Sequence, residues 1–368
     1  MLSTNDEVPR RTGGMRILMI APPWYEIPPG GYGGIEAMLA ALVGGLSRRG
    51  HEVVLVGAGR PGTSARFLPT YDLAPSERIG QAMPELLHAA KAHRMTAELE
   101  VDVVHDHSMA GPLTAAVRSA PTLATCHGEV EGELAEYYRA IGGDLSLVAI
   151  SGAQRRAVPD LNWVGTVHNA VETGSFPFRA DKQDWVLWLG RFSHTKGAHT
   201  AIDVARAAGR RILLAGKLVE QHEKDYFDEY VRPRLGPGAE YVGQAGDTRK
   251  RELLAAASCL LFPIAWDEPF GMVMIEAMAC GTPVVALGRG AVPEVVVDGL
   301  TGFVRFEEDE LPAAVDAVGG LDPHACRSHV WRKFDVEVMT EGYERIYRRM
   351  AAGRGLRLPA AADGLMLG

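Results

Sequence analysis

Two glutamates with seven residues between them, Glu268 and Glu276, flank a glycine in the run Glu268–Val285 (EPFGMVMIEAMACGTPVV). The pattern predicts a strand ending near Pro263, a loop carrying Asp267, Glu268 and Pro269, and a helix starting near Phe270–Gly271. A helix start leaves backbone N–H groups unpaired and carries partial positive charge, so phosphate settles there. Gly271 admits a ligand close to the backbone. Glu276, about one and a half turns on, can reach a ribose diol lying over the helix start. Glu268 can accept hydrogen bonds from sugar hydroxyls. The plainer alternative is a capping acid and a solvated glutamate.

Three further loops carry candidate chemistry. Leu189–Gly197 (LGRFSHTKG) offers Arg191, a planar fork of donors, and Lys196, a mobile point charge. Together they suit a diphosphate that gains charge as a glycosyl bond breaks, although loop cations are commonly just solvated. The segment lacks the GxxxxGK[ST] spacing of a Walker loop. Gly30–Glu36 (GGYGGIE) lies between the first strand and the first helix, and its Gly33 and Gly34 permit close backbone approach to phosphate or sugar. Read from Gly31, a GxGxxG/A dinucleotide fingerprint fails at Glu36, and Gly57-Ala58-Gly59 ends the second strand without a ribose-binding acid. An NAD site is therefore disfavoured. Thr125–Gly128 (TCHG) places His127 just after a strand, where a lone histidine is either structural or a ligand contact. Asp106 and His107, in VHDHS, are weaker candidates. No further ligands complete a metal set, and no metal is expected.

The EPFG…E segment and the following CGTPVVA run resemble the signature of retaining glycosyltransferases of family 4, which have the GT-B fold. GR…KG resembles that family's diphosphate clamp, YGGIE its N-terminal glycine loop, and His127-Gly128 its His–Gly pair. The resemblance runs from about Met15 to Met350. It implies catalytic roles for His127, Glu268, Arg191 and Lys196, with His127 contacting the donor sugar near its reactive end. It implies a donor site formed by Gly33, Gly34, Val242, Phe270, Gly271, Met272, Val273 and Glu276, where Val242 packs on the nucleobase. The implied activity is metal-independent, front-face transfer from a nucleotide-diphosphate sugar to a hydroxyl acceptor, with no separate cofactor.

Those loops need strands to hold them. Apolar runs at Arg16–Ala21, from His51, and at Val101–His105, Thr122–Cys126 and Leu147–Ile150 alternate with helical patterns. After a polar stretch (ETGSFPFRADKQD) the alternation restarts at Trp185–Leu189, Arg211–Ala215, Glu240–Val242, Cys259–Phe262 and Pro283–Ala286. Such alternation implies parallel βαβ units. The expected class is α/β, two Rossmann-like doubly wound domains facing across a cleft. The expected organisation is a flexible extension at 1–14, an acceptor domain at 15–172 and a donor domain at 173–335. A helix at 336–352 returns to the first domain, and a flexible tail occupies 353–368.

Composition narrows the classes. The chain has 368 residues, is 47% hydrophobic and 23% charged, and carries a net charge of −8. That balance fits globular domains, and the lack of basic excess disfavours nucleic acid as a partner. Four cysteines stand apart, in no ligand spacing, and read as free thiols of a reducing compartment. The polar N-terminus has no apolar h-region, and no apolar run is long enough for a bilayer, so a cytoplasmic protein is expected. Residues 15–172 hold twelve Lys/Arg and seventeen Asp/Glu, which gives anionic lipid no electrostatic help. A small metabolite or glycan acceptor is preferred, with peripheral membrane contact and oligomeric state left open. A sugar-nucleotide epimerase of the same fold and a non-catalytic sugar-nucleotide binder are the alternatives.

Overall fold

The computed structural model describes residues 13–30 and 33–353. The expected extension at 1–14 and tail at 353–368 therefore lie almost wholly outside the described residues, as do Gly31 and Tyr32 of the glycine loop.

The strands are β1 Arg16–Ile20, β2 Glu52–Ala58, β3 Arg66–Tyr71, β4 Val103–Asp106, β5 Thr122–Cys126, β6 Leu145–Ala149, β7 Trp163–Thr166, β8 Trp185–Leu189, β9 Arg211–Ala215, β10 Ala239–Tyr241, β11 Leu260–Phe262, β12 Val284–Leu287 and β13 Gly302–Arg305. The α-helices are α1 Gly34–Arg48, α2 Ala82–Thr96, α3 Gly132–Ile141, α4 Gly152–Ala157, α5 Ala198–Ala207, α6 Gln221–Tyr226, α7 Asp247–Ala256, α8 Met272–Ala279, α9 Val292–Val295, α10 Leu311–Ala317, α11 Pro323–Lys333 and α12 Val336–Ala351.

Two sheets result, in the orders β3-β2-β1-β4-β5-β6-β7 and β10-β9-β8-β11-β12-β13. Their pairings are parallel: Ile17 sits opposite both Val53 and Val103, and Leu187 opposite both Leu213 and Leu260. The central strands are buried on both faces, which is why they read as unbroken apolar runs. Both orders reverse direction beside the first strand of the set, the switch point where doubly wound sheets bind ligands.

Every strand named from the sequence is present, shifted by two residues at most at either end. Three strands had no sequence signal: β3 (RFLPTY), β7 (WVGT) and β13 (GFVR). All three lie at sheet edges. An edge strand needs neither two apolar faces nor a full set of N–H donors, so Pro69, Gly165 and Arg305 are tolerated there and no apolar run forms.

The chain divides into two compact units. The first comprises the described residues through Thr125, Tyr138–Leu147 and the last helix from Thr340; the second comprises Cys126–Tyr137 and Val148–Met339. This differs from the division expected at 172/173, which instead coincides with the change of sheet between β7 and β8. The second unit is filled by two apolar clusters. One runs through Leu187, Leu260, Met274 and Val284, the other through Val186, Trp188, Ile202 and Leu214.

Candidate active site

The loops at the carboxyl ends of β8 and β11 hold the main cluster, all of it in the second unit. After β8 the chain turns through His194–Lys196 into α5. Gly197 makes the turn possible with φ 65°, and a Cβ there would lie 2.2 Å from the Pro263 carbonyl oxygen. Only glycine lets the two loops approach so closely. The Ala265 N–H donates to the Thr195 carbonyl at 2.9 Å, locking one loop on the other. The Trp188 indole also donates to the Lys196 carbonyl at 2.9 Å, so the lysine backbone is held from the core side.

Lys196 Nζ forms a short ion pair with Glu268 Oε2, and both side chains are largely buried. Trp266, which had no role in the sequence reading, completes the arrangement. Its Nε1 donates to the same Oε2 at 3.1 Å, and its ring centroid lies 4.9 Å from Lys196 Nζ. An indole suits this position because it couples an apolar face, attractive to a cation, with one N–H donor. Both of these contacts fall on Oε2. Arg191 is exposed and lies near enough to Glu220 to help hold that carboxyl below its usual range, after the larger hydrogen bond from Lys217. Lys217 pairs with Glu220 at 2.5 Å.

Gly271 caps α8 with φ 81°, a conformation that strains other residues, and no side chain caps the helix start. Its missing Cβ also leaves room for Met274 Cε, which would otherwise lie 2.6 Å away. Helix α8 begins at Met272, one or two residues later than expected. Met272 and Val273 are half-buried at its start, whereas Phe270 is buried in the apolar core, so only the backbone of Phe270 is available to a ligand. Glu276, on the fifth residue of the helix, accepts from Lys250 Nζ at 2.7 Å. Lys250, on α7, gave no sequence signal, because its partner is 26 residues away on another helix. Val242 is half-buried against the same core, with Gly243 beyond it in a positive-φ turn.

His127 keeps part of its surface in solvent while Nδ1 is shut off from it, and burial lowers its pKa to about 4. The ring is neutral at pH 7. It belongs to the same unit as Lys196 and Glu268. Gly33 and Gly34 lie in the first unit, where Gly33, at φ 152°, precedes α1. Asp106 is wholly buried between Arg118 (2.9 Å) and Ser108 (2.7 Å). The four cysteines are buried. No helix among the described residues is long and apolar enough to cross a membrane.

Two parallel doubly wound sheets, with cations, carboxylates and an open helix start gathered at the strand ends of the second, fit a glycosyltransferase of the GT-B fold, and the chain's relatives are such enzymes. Residues 175–318 match the family Glycosyl transferases group 1, and residues 32–147 match Glycosyltransferase Family 4. The chain belongs to glycosyltransferase family 4. It is similar to glycogen synthase of Mycobacterium tuberculosis (strain ATCC 25618 / H37Rv), at 27% identity over 94% of this chain and 97% of that one. It is also similar to phosphatidyl-myo-inositol mannosyltransferase of Mycolicibacterium smegmatis, at 25% identity over 95% and 98% of the two chains. Among solved structures it resembles AviGT4, a glycosyltransferase involved in avilamycin A biosynthesis, with 27% identity, a TM-score of 0.71 and coverage of 92% and 98%.

Proposed function

We propose that the protein is a retaining, metal-independent transferase that moves a sugar from a nucleotide diphosphate to the hydroxyl of a small metabolite or glycan. The observation that carries this reading is the ion pair of Lys196 and Glu268 beside the uncapped start of α8. In the unliganded protein the carboxylate neutralises the cation. A diphosphate resting on the N–H groups of Met272 and Val273 recruits the same ammonium, and Arg191, on the β8 loop, adds a second positive charge. Glu268 then turns to the hydroxyls of the donor sugar, Glu276 takes the ribose diol, and Val242 packs on the base.

In the reaction, the bond from the anomeric carbon to the diphosphate oxygen breaks while the acceptor oxygen bonds to the same face of that carbon. The acceptor proton passes to the departing phosphate oxygen. Lys196 and Arg191 stabilise charge that grows only as the bond loosens, which is where electrostatic help lowers a barrier. Neutral His127 serves as a hydrogen-bonding contact to the sugar. The relatives' own names span glycogen and phosphatidyl-myo-inositol, so donor and acceptor are properties of each member.

Thermal unfolding with UDP, GDP, ADP and dTDP, followed by their hexose derivatives, tests the reading. One nucleotide is expected to stabilise the protein by about 2.7 kcal/mol at 100 times its Kd. Its sugar is expected to be turned over equally with and without EDTA. No stabilisation by any of the four, or turnover that needs added metal, overturns it.

A further inference from the structure

The His127 loop is held by one side chain that the donor site does not otherwise use. Gln154 Nε2 donates to the carbonyls on both sides of His127, Cys126 O at 2.9 Å and Gly128 O at 2.6 Å. Gln154 Oε1 accepts from the Ile150 N–H at 2.9 Å, and the residue is buried. Its own helix, α4, is fixed in turn. Ser151, wholly buried, caps it through a bond from the Gln154 N–H at 3.1 Å. The two preceding N–H groups, Gly152 and Ala153, donate to the two oxygens of Glu294 at 2.7 and 2.6 Å.

Glu294 also accepts from His168 at 3.4 Å and Arg156 at 3.1 Å. Burial opposes its ionisation, but these hydrogen bonds and the Arg156 charge prevail and hold its pKa at about 2. Glu294 stands on α9, and the residue just before that helix, Ala291, donates its N–H to the Glu268 carbonyl at 2.9 Å. The His168 ring packs 5.8 Å from the ring of Phe270, in the same EPFG segment. A continuous set of direct contacts thus joins the Glu268 backbone to the His127 backbone, through α9, Glu294, α4 and Gln154.

We propose that Gln154 and Glu294 are positioning residues, which set His127 relative to Glu268. The functional half of this inference rests on the donor-site reading above; the clamp itself rests on geometry alone. A misplacement of about 1 Å at a reacting centre can cost on the order of 100-fold in rate, so a backbone held from both sides is of direct use. Gln154 serves the loop better than a charged residue would. A single amide supplies two donors and an acceptor to three backbone groups, without bringing a charge beside the donor sugar.

Two measurements on the full chain test this. In hydrogen exchange, Gln154→Leu is expected to speed exchange over residues 125–131 by about tenfold, as the carbonyls of Cys126 and Gly128 lose their shared donor, with 189–197 unchanged. Glu294→Gln is expected to do so over 150–156 as well. Unchanged exchange over 125–131 in both variants overturns the clamp. In turnover of the donor found by the nucleotide panel, Gln154→Leu is expected to lower kcat about as much as His127→Ala, with KM for the donor held within about threefold, and to add nothing in the His127→Ala background. Full additivity overturns the positioning role. If His127→Ala leaves kcat unchanged, it is the donor-site role of His127 that fails, and the exchange data still decide the clamp.

Discussion

Several buried polar side chains of the first unit bond to one another. His105 bonds through Nδ1 to the Tyr347 hydroxyl (2.6 Å) and through Nε2 to Thr125 (2.8 Å), and Thr125 bonds to Tyr343 (2.9 Å). Asp106 is closed by Arg118 and Ser108, and His88 by Thr70 at 2.7 Å. In the second unit the sheet interior is apolar, and the ionic pairs Lys196–Glu268 and Lys250–Glu276 stand beyond the strand ends with part of their surface in solvent. The first arrangement spends its polar groups on holding the last helix and the sheet together. The second keeps its charges paired at the strand ends, the place proposed above for the diphosphate. A histidine or aspartate in a sequence is therefore poor guidance until its partners are known: VHDHS contributes to a core, and TKG and EPFG to the proposed site.

Removing a charge should separate the two regions most sharply. Lys196→Ala is expected to lower kcat by about 100- to 1,000-fold while the protein still folds, since the typical cost of losing one such electrostatic donor is roughly 3–4 kcal/mol. Steady-state kinetics alongside urea unfolding check this, and near-normal kcat removes the clamp role.

Acid should act on the first unit through His88. Burial lowers its pKa to about 4 from the ordinary 6.5. A group whose folded pKa is depressed in this way, and which is neutral when folded, contributes its stability fully above pH 6.5. That contribution is lost as pH falls from 6.5 towards 4, by up to about 3 kcal/mol. His127 in the second unit, also lowered to about 4 by burial, shares in the slope. Urea midpoints at pH 7, 5.5 and 4.5 are expected to fall steadily, and His88→Gln, which cannot take up the proton, to flatten the dependence. An unaltered slope in that variant assigns the effect elsewhere. Glu294, near 2, adds its own loss only below about pH 4.5.

The smallest effect should come from Tyr347→Phe, which removes one hydrogen bond to His105 inside the first unit. About 1 kcal/mol of stability is expected to go, with nucleotide affinity unchanged. A change in affinity measured by calorimetry would break the contrast between a structural polar core and a chemical rim.

Much of the site was legible because its motifs are local. The spacing of Arg191 to Lys196 and of Glu268 to Glu276 lies within single loop–helix segments, and those segments follow strands whose apolar runs announce themselves. What escaped was of two kinds. The edge strands β3, β7 and β13 escaped because an edge imposes no apolar run. The partners Trp266, Lys250, Gln154 and Glu294 escaped because each is chosen by a neighbour in space. Lys250 and Glu276 stand on different helices, and Gln154 reaches carbonyls 26 and 28 residues before it. Phe270 shows the reverse error: it sits inside the motif, yet its side chain belongs to the core.

By itself, the sequence determined the order of strands and helices, the places where backbone must be glycine, and the charges carried by each strand-end loop, because these depend on residue type and short spacing. Only the tertiary structure decided which charge meets which. Pairing requires two side chains to arrive within about 3 Å of each other. For groups on separate elements, that distance is set by how the intervening strands and helices pack.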